Sequence, residues 1–219
     1  MTTVNLHTLT DDQLTKHLVA WFKQTLPLEE HRRLMVPMLR ELATGQPVQP
    51  ERLAALAGVP VDQTLALLRQ APSEWDPRGT RLVGLGLTSR PTPHRFQVHD
   101  QDLYTWCAVD AMFFPVLIGA PARIQSPCVA TGDPIQIDLT PAGVEHVEPP
   151  SAVVSVVTPA IDVSEVRQAV CAAQSFFRSA EAASRWHAKH PQALLLPVAD
   201  MFQLYRRAVL QVWGDQLPG

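Results

Sequence analysis

Two residues, three apart, open the chemical reading: Cys107 and Asp110 in Trp106-Cys107-Ala108-Val109-Asp110. On a helix, positions i and i+3 share a face, so thiol and carboxylate can meet. A free thiol is mostly protonated at neutral pH, with a pKa near ~8.5. A neighbouring carboxylate does not lower that value by charge, but it can accept a proton and return it. Such a pair is useful when a metal holds the thiolate. The same spacing also describes a small buried cysteine beside an exposed aspartate. Cys171, ahead of Phe176-Phe177, and Cys128, in Ser126-Pro127-Cys128-Val129-Ala130-Thr131-Gly132, each read alone as packed core thiols. Trp106, Phe113 and Phe114 read first as core.

Other chemistries find no foothold. The eight histidines form no HxxxH or HExxH pattern, and His187 with His190 is only weakly ligand-like. There is no GxGxxG, Walker loop or GxSxG. Three cysteines without a CxxC pair exclude a disulfide scaffold and a zinc ribbon, and suit a reducing compartment.

The elements that must position these residues follow from periodicity and turn residues. The 219 residues allow one large domain or two small ones. Apolar residues make up 46%, enough for a real core. The 20 prolines, against about 11 at ordinary usage, predict many short segments. Thr10 with Gln13 forms a capping box ahead of a face carrying Leu14, Leu18, Trp21 and Phe22. A second helix carries Leu34, Met35, Met38, Leu39 and Leu42, with Pro37 either kinking it or marking its first turn. Short helices over roughly 50–57 and 62–70 flank Gly58-Val59-Pro60 as a helix-turn-helix. Strand-like spacing from Leu82 to Val98 completes a winged-helix pattern. The expected fold is α+β: a winged-helix-like domain over 1–92, then a domain over 93–219 that carries the candidate catalytic residues, with a small antiparallel sheet and flanking helices.

In that second part, Asp100 and Asp102 are expected to cap a helix running through Leu103, Cys107 and Asp110 to Pro115. Strands are expected near 122–126, 134–139 and 152–157. Helices are expected from Asp162 towards Cys171, then near 179–189 and 197–213. Met1 to Leu6 lacks a basic and an apolar stretch, so no secretory leader is expected. No apolar run approaches the ~18 residues of a membrane span, so no membrane partner is expected and the cytoplasm is the expected location.

At this point the combination resembles one family, the organomercurial (alkylmercury) lyases of bacterial mercury resistance. The resemblance lies in Leu34-Met35-Val36-Pro37-Met38-Leu39-Arg40-Glu41-Leu42-Ala43, Gly84-Leu85-Gly86-Leu87-Thr88 and Leu103-Tyr104-Thr105-Trp106-Cys107-Ala108-Val109-Asp110. It continues through Phe114-Pro115, Leu117-Ile118-Gly119, Cys128-Val129-Ala130-Thr131-Gly132 and Val166-Arg167-Gln168, running in order from about residue 30 to 190. The first thirty residues match poorly and receive no role. The resemblance implies protonolysis of a carbon–mercury bond, giving a hydrocarbon and Hg(II). Catalytic positions of the family match Cys107, Asp110 and Cys171. Cys128 matches a cysteine usually regarded as structural, and Ala172 replaces a second cysteine found in some members.

Soft thiolates are the preferred ligands of a soft cation such as mercury. In this reading Cys107, Cys171 and, weakly, Asp110 bind mercury, while Asp110 shuttles the proton. Trp106 either encloses an apolar pocket for the organic group or packs as core. Mercury is substrate and product, so no resident cofactor is expected. External low-molecular-weight thiols are expected to support turnover, and mercuric reductase is the Hg(II) acceptor the resemblance implies. The alternative is a winged-helix, metal-sensing transcription regulator using the three thiols. Against it, residues 1–98 hold 11 Lys and Arg and 9 Asp and Glu, and Arg69 is the only cation over 62–70. A DNA reader needs several phosphate contacts, so no nucleic acid is expected.

Overall fold

The computed structural model describes residues 5–217. Met1–Val4, and with them most of the stretch read for a leader, lie outside the described residues.

Helix α1 (Asp11–Thr25) opens on the expected capping box. The Thr10 hydroxyl accepts the Gln13 N–H at 3.4 Å, and Gln13 Oε1 accepts the Thr10 N–H at 2.9 Å. Its buried stripe is Leu14, Leu18, Trp21 and Phe22. Helix α2 (Glu29–Leu42) carries Pro37 in its interior, so the first-turn reading of that proline is corrected. Helix α3 (Pro50–Ala57) ends at Gly58, whose φ of 61° is left-handed and cheap only without a Cβ. Helix α4 (Val61–Gln70) follows at once.

Eight strands form one antiparallel sheet: β1 (Glu74–Trp75), β2 (Leu82–Leu85), β3 (Leu87–Thr88), β4 (His94–Val98), β5 (Gln101–Thr105), β6 (Ala122–Pro127), β7 (Pro134–Leu139) and β8 (Val144–Glu148). Their order is β1-β2-β3-β5-β4-β6-β7-β8. Leu87 opposite Thr105 and Thr88 opposite Tyr104 carry the sheet across residue 92. A second sheet, ordered β10-β9-β11, contains β9 (Val153–Val156), β10 (Phe176–Phe177) and β11 (Leu194–Pro197). The α+β class is as expected; the sheet is larger, because β1–β5 pair into it through β4 with β6, and because β8 carried no strand signal. Strands β10 and β11, equally without signal, form a second sheet with β9.

The expected helix from Asp100 is wrong at its start. Residues 101–105 form β5, where inward Leu103 and Thr105 alternate with outward Asp102 and Tyr104. His99 and Asp100, at φ 48° and 59°, make the tight reversal from β4. Two-residue periodicity over the short run wins against the capping signal of the aspartates. The helix, α5 (Ala108–Ile118), begins only after Cys107. Ten of its eleven residues are buried, so it runs through the centre of the molecule. Asp110 is its one polar side chain.

The expected helix from Asp162 is broken into a 3-10 turn (Val163–Glu165), α6 (Val166–Ala169) and another 3-10 turn (Cys171–Ala173). The chain closes with α7 (Ala180–His187) and α8 (Val198–Trp213). Helix α8 packs against both α1 and α5. Among the described residues no helix is long and apolar enough to cross a membrane.

Candidate active site

Cys107 is the N-cap of α5, with extended backbone (φ −146°, ψ 171°). Its Sγ accepts the N–H of Asp110 at 3.4 Å, the cap bond that a serine or aspartate makes elsewhere. The three-residue spacing therefore matters as cap and third helical position, with the carboxylate turned back towards the thiol. The Thr105 hydroxyl donates to the Cys107 carbonyl at 3.0 Å and fixes the strand-to-helix junction.

Cys171 reaches the same place from the broken segment. Its thiol donates towards Asp110 Oδ2 at 3.9 Å. The ligand atoms of Cys107, Asp110 and Cys171 all lie within 4.8 Å of one another. Among the described residues no other set of three such groups converges in this way. The three residues expected from sequence are thus together.

Their surroundings are apolar, and that decides their proton affinities. Burial lifts the Asp110 carboxyl from its ordinary 3.8 to about 7, against hydrogen bonds from Cys107 and Cys171 that favour the anion. Burial also holds the Cys107 thiol well above its ordinary value, helped by its bond to Cys171 and by the charge of Asp110. The Cys107 thiol therefore holds its proton, while the Asp110 carboxyl beside it gains and loses one near neutrality. A cavity of about 110 Å³ opens onto it, walled chiefly by Trp21, Phe22, Trp106, Phe113, Tyr205 and Trp213. Trp106 lines the pocket and is 9% exposed.

Several contributors carried no signal in the sequence. Trp21 and Phe22 come from the poorly matching N-terminus, where their spacing read only as core. Gln174 is buried; its Oε1 accepts the Cys107 S–H at 3.2 Å, and its Nε2 donates to the Val157 carbonyl at 3.2 Å. Tyr205 is buried on the pocket wall, and its hydroxyl has no partner among the described residues. No short motif marks either residue.

The remaining expected or weighed residues lie elsewhere. Cys128 is 1% exposed in the turn after β6, where its N–H donates to the Asp133 carbonyl at 2.7 Å. His190 stacks on Trp186 at 4.1 Å, and a ring nitrogen of His187 contacts the Ala193 carbonyl at 2.9 Å. On α4, Arg69 lies over the Trp75 ring at 4.1 Å and donates to Gly79 at 2.8 Å. The one cation of that helix, though exposed, is engaged by the protein's own groups.

Known proteins are similar to this chain over most of its length. The alkylmercury lyase (MerB) family profile matches residues 87–209. An alkylmercury lyase of Streptomyces lividans is 46% identical over 187 residues, 84% of this chain and 85% of that protein. One from Staphylococcus epidermidis is 47% identical over 174 residues, 79% and 80% of the two chains. One from Pseudomonas putida is 43% identical over 178 residues, 80% and 82% of the two chains. The crystal structure of the mercury-bound form of MerB2 superposes with a TM-score of 0.71 at 22% identity, covering 92% of this chain and 99% of that one. At that identity the match shows the fold. Nothing in these comparisons supports the transcription-regulator alternative.

Proposed function

The chain belongs to the alkylmercury lyase family, whose reaction is cleavage of a carbon–mercury bond, and we propose that Cys107, Cys171 and Asp110 carry out that reaction here. The observation that supports this most is the convergence of two thiols and one carboxyl within 4.8 Å, with Asp110 and Cys171 lining an apolar pocket.

The organic group sits among the aromatic walls, and mercury meets the two sulfurs. One thiol gives its proton to the ligand that the arriving mercury carries and takes that ligand's place on the metal, so that ligand leaves protonated. The second thiol then bonds to mercury and gives its proton to the Asp110 carboxylate. Two thiolates push electron density onto mercury and make the bound carbon more basic. The carbon leaves as a hydrocarbon, taking its bonding pair and one proton from Asp110. Two thiol protons are released in all: one ends on carbon and one leaves the site. A carboxyl held near 7 is suited to this, being able to accept and return a proton near neutrality. Oxygen binds a soft cation weakly, so Asp110 does not trap Hg(II) as a third thiolate would.

In this scheme no resident cofactor takes part. Hg(II) passes to external low-molecular-weight thiols and, as the family resemblance implies, onward to a mercuric reductase. The three free thiols suit a reducing cytoplasm.

Phenylmercury incubated with the protein and excess thiol is expected to yield benzene, measured in the headspace. Cys107→Ser and Cys171→Ser, each folded, are expected to release none above background. Normal benzene release by either variant would remove that cysteine from the site.

A further inference from the structure

One buried carboxylate outside the site is bonded to both arms that carry the thiols. Glu74, in β1, is 5% exposed. Its Oε1 accepts the indole N–H of Trp106 at 3.1 Å and the Nη1 of Arg167 at 2.6 Å. Its Oε2 accepts the Thr88 hydroxyl at 2.6 Å and lies 3.8 Å from Arg90 Nε. Trp106 immediately precedes Cys107. Arg167 lies in α6, four residues before Cys171, and its guanidinium sits 4.6 Å from the centre of the Trp106 ring.

The sheet makes room for this carboxylate. A Cβ on Gly84 would fall 2.6 Å from Thr88 and 2.9 Å from Glu74 Oε2. The Gly84-Leu85-Gly86-Leu87-Thr88 stretch thus supplies both the space and one hydrogen bond. Its second glycine serves the pocket directly: Gly86, at φ 75°, faces Phe114 at 2.7 Å and Asp110 Oδ2 at 3.8 Å from a would-be Cβ.

A charge taken out of water is stable only when paired and fully hydrogen-bonded. Glu74 meets that condition with four partners drawn from three segments of the chain. Two of them, Trp106 and Arg167, need a fixed position for a chemical reason. Cys107 is anchored by β5 and α5, whereas Cys171 sits in a run of single turns. Two sulfurs bind one mercury only at a set separation, so the looser arm needs an external hold.

We propose that Glu74 is a positioning residue for mercury capture: by gripping Arg167 and Trp106 together it sets the distance between the Cys107 and Cys171 thiols. This rests on the two-thiol reading above. Glu74 touches neither substrate nor mercury. It acts through Arg167 on Cys171, so losing the grip weakens two-sulfur binding while each thiol remains present.

The test compares wild type, Glu74→Gln, Arg167→Met and the double variant. Three quantities are measured: benzene release from phenylmercury, retention of added Hg(II) against a competing dithiol by intact-mass spectrometry, and thermal unfolding. Glu74→Gln keeps the shape and one acceptor oxygen for Trp106 and Arg167, with the Thr88 hydroxyl turned to accept the new amide N–H, but loses the charge that holds Arg167. It is expected to lower kcat/KM about tenfold and to lose Hg(II) at about tenfold lower dithiol, the scale of one charge-assisted bond. Arg167→Met should do the same, and the double variant should be no worse than either single one, because both changes break one link.

Values within about twofold of wild type for Glu74→Gln, losses that only track the folded fraction, or effects that multiply in the double variant would each overturn the proposal. Should Glu74→Gln fail to fold, Arg167→Met carries the same test, since that side chain is 45% exposed. Hg(II) retention needs no turnover. A wild type that releases no benzene would therefore defeat the lyase reading while leaving the role of Glu74 to be decided by retention.

Discussion

Cys107 and Cys128 are buried to the same degree, 0% and 1% exposed, yet their surroundings ask opposite things of sulfur. At Cys107, burial, Cys171 and Asp110 push the thiol above its ordinary value. At Cys128, burial also pushes upward, but hydrogen bonds from Thr131 and from the Arg178, Ala130 and Thr131 backbone outweigh it and lower the pKa. By acidity alone, Cys128 would be the better mercury ligand. Among the described residues it belongs to no set of three converging metal-ligating groups. A metal site is made by several donors meeting where a substrate can enter, and thiolate character in one of them does not suffice.

The sharpest way to break this comparison is to exchange sulfur for oxygen on both sides. Cys171→Ser should end cleavage, while Cys128→Ser should leave turnover per folded molecule within about twofold of wild type, as a group outside the reaction does. Benzene assays on both variants check this, and an inactive but folded Cys128→Ser would put that thiol into the site.

Next in size is Asp110→Asn. Positioned general acids contribute about 10²–10⁴-fold, so benzene release should slow on that scale. Phenylmercury should still bind through the two thiols, giving an intact adduct by mass spectrometry. Wild-type release by this variant would leave water or a thiol as the proton source.

A smaller effect separates the two regions by pH. The Asp110 pKa is raised on folding, from 3.8 to about 7, mainly by burial. The protonated carboxyl is thus the form the fold prefers. Its contribution to stability is complete below the unfolded value of 3.8 and is lost as pH rises through about 7. Thermal unfolding between about pH 5 and 8 should therefore show wild type losing stability relative to Asp110→Asn, which cannot ionise. The buried His94, held down to about 4 by desolvation, is common to both proteins and cancels. A pH-independent difference would mean that the carboxyl titrates as in water.

The smallest effect is Cys128→Ala. A small buried truncation costs about 1–2 kcal/mol, which chemical denaturation would measure, with no change in cleavage per folded molecule.

Much was legible from the residues alone. The capping box at Thr10, the Gly58 stop, the α+β class and the strands near 122–127 and 134–139 follow from local periodicity and turn chemistry, which act over a few residues. Cys107, Asp110 and Cys171 were picked out by the resemblance, whereas Cys171 read by itself as a packed core thiol. The start of α5 was misplaced because Asp100 and Asp102 carry a capping signal that strand pairing with β4 overrides.

What only the tertiary structure decided is how distant segments meet. Sixty-four positions separate the two cysteines, and nothing local states that a broken run of single turns brings one sulfur to the cap of a central helix. The same holds for Gln174 against Cys107, for Trp21 and Phe22 as pocket walls, and for Glu74 between Trp106 and Arg167. These contacts come from packing a whole core and from pairing every buried charge. Both are conditions on the assembled molecule, which residue order alone does not display.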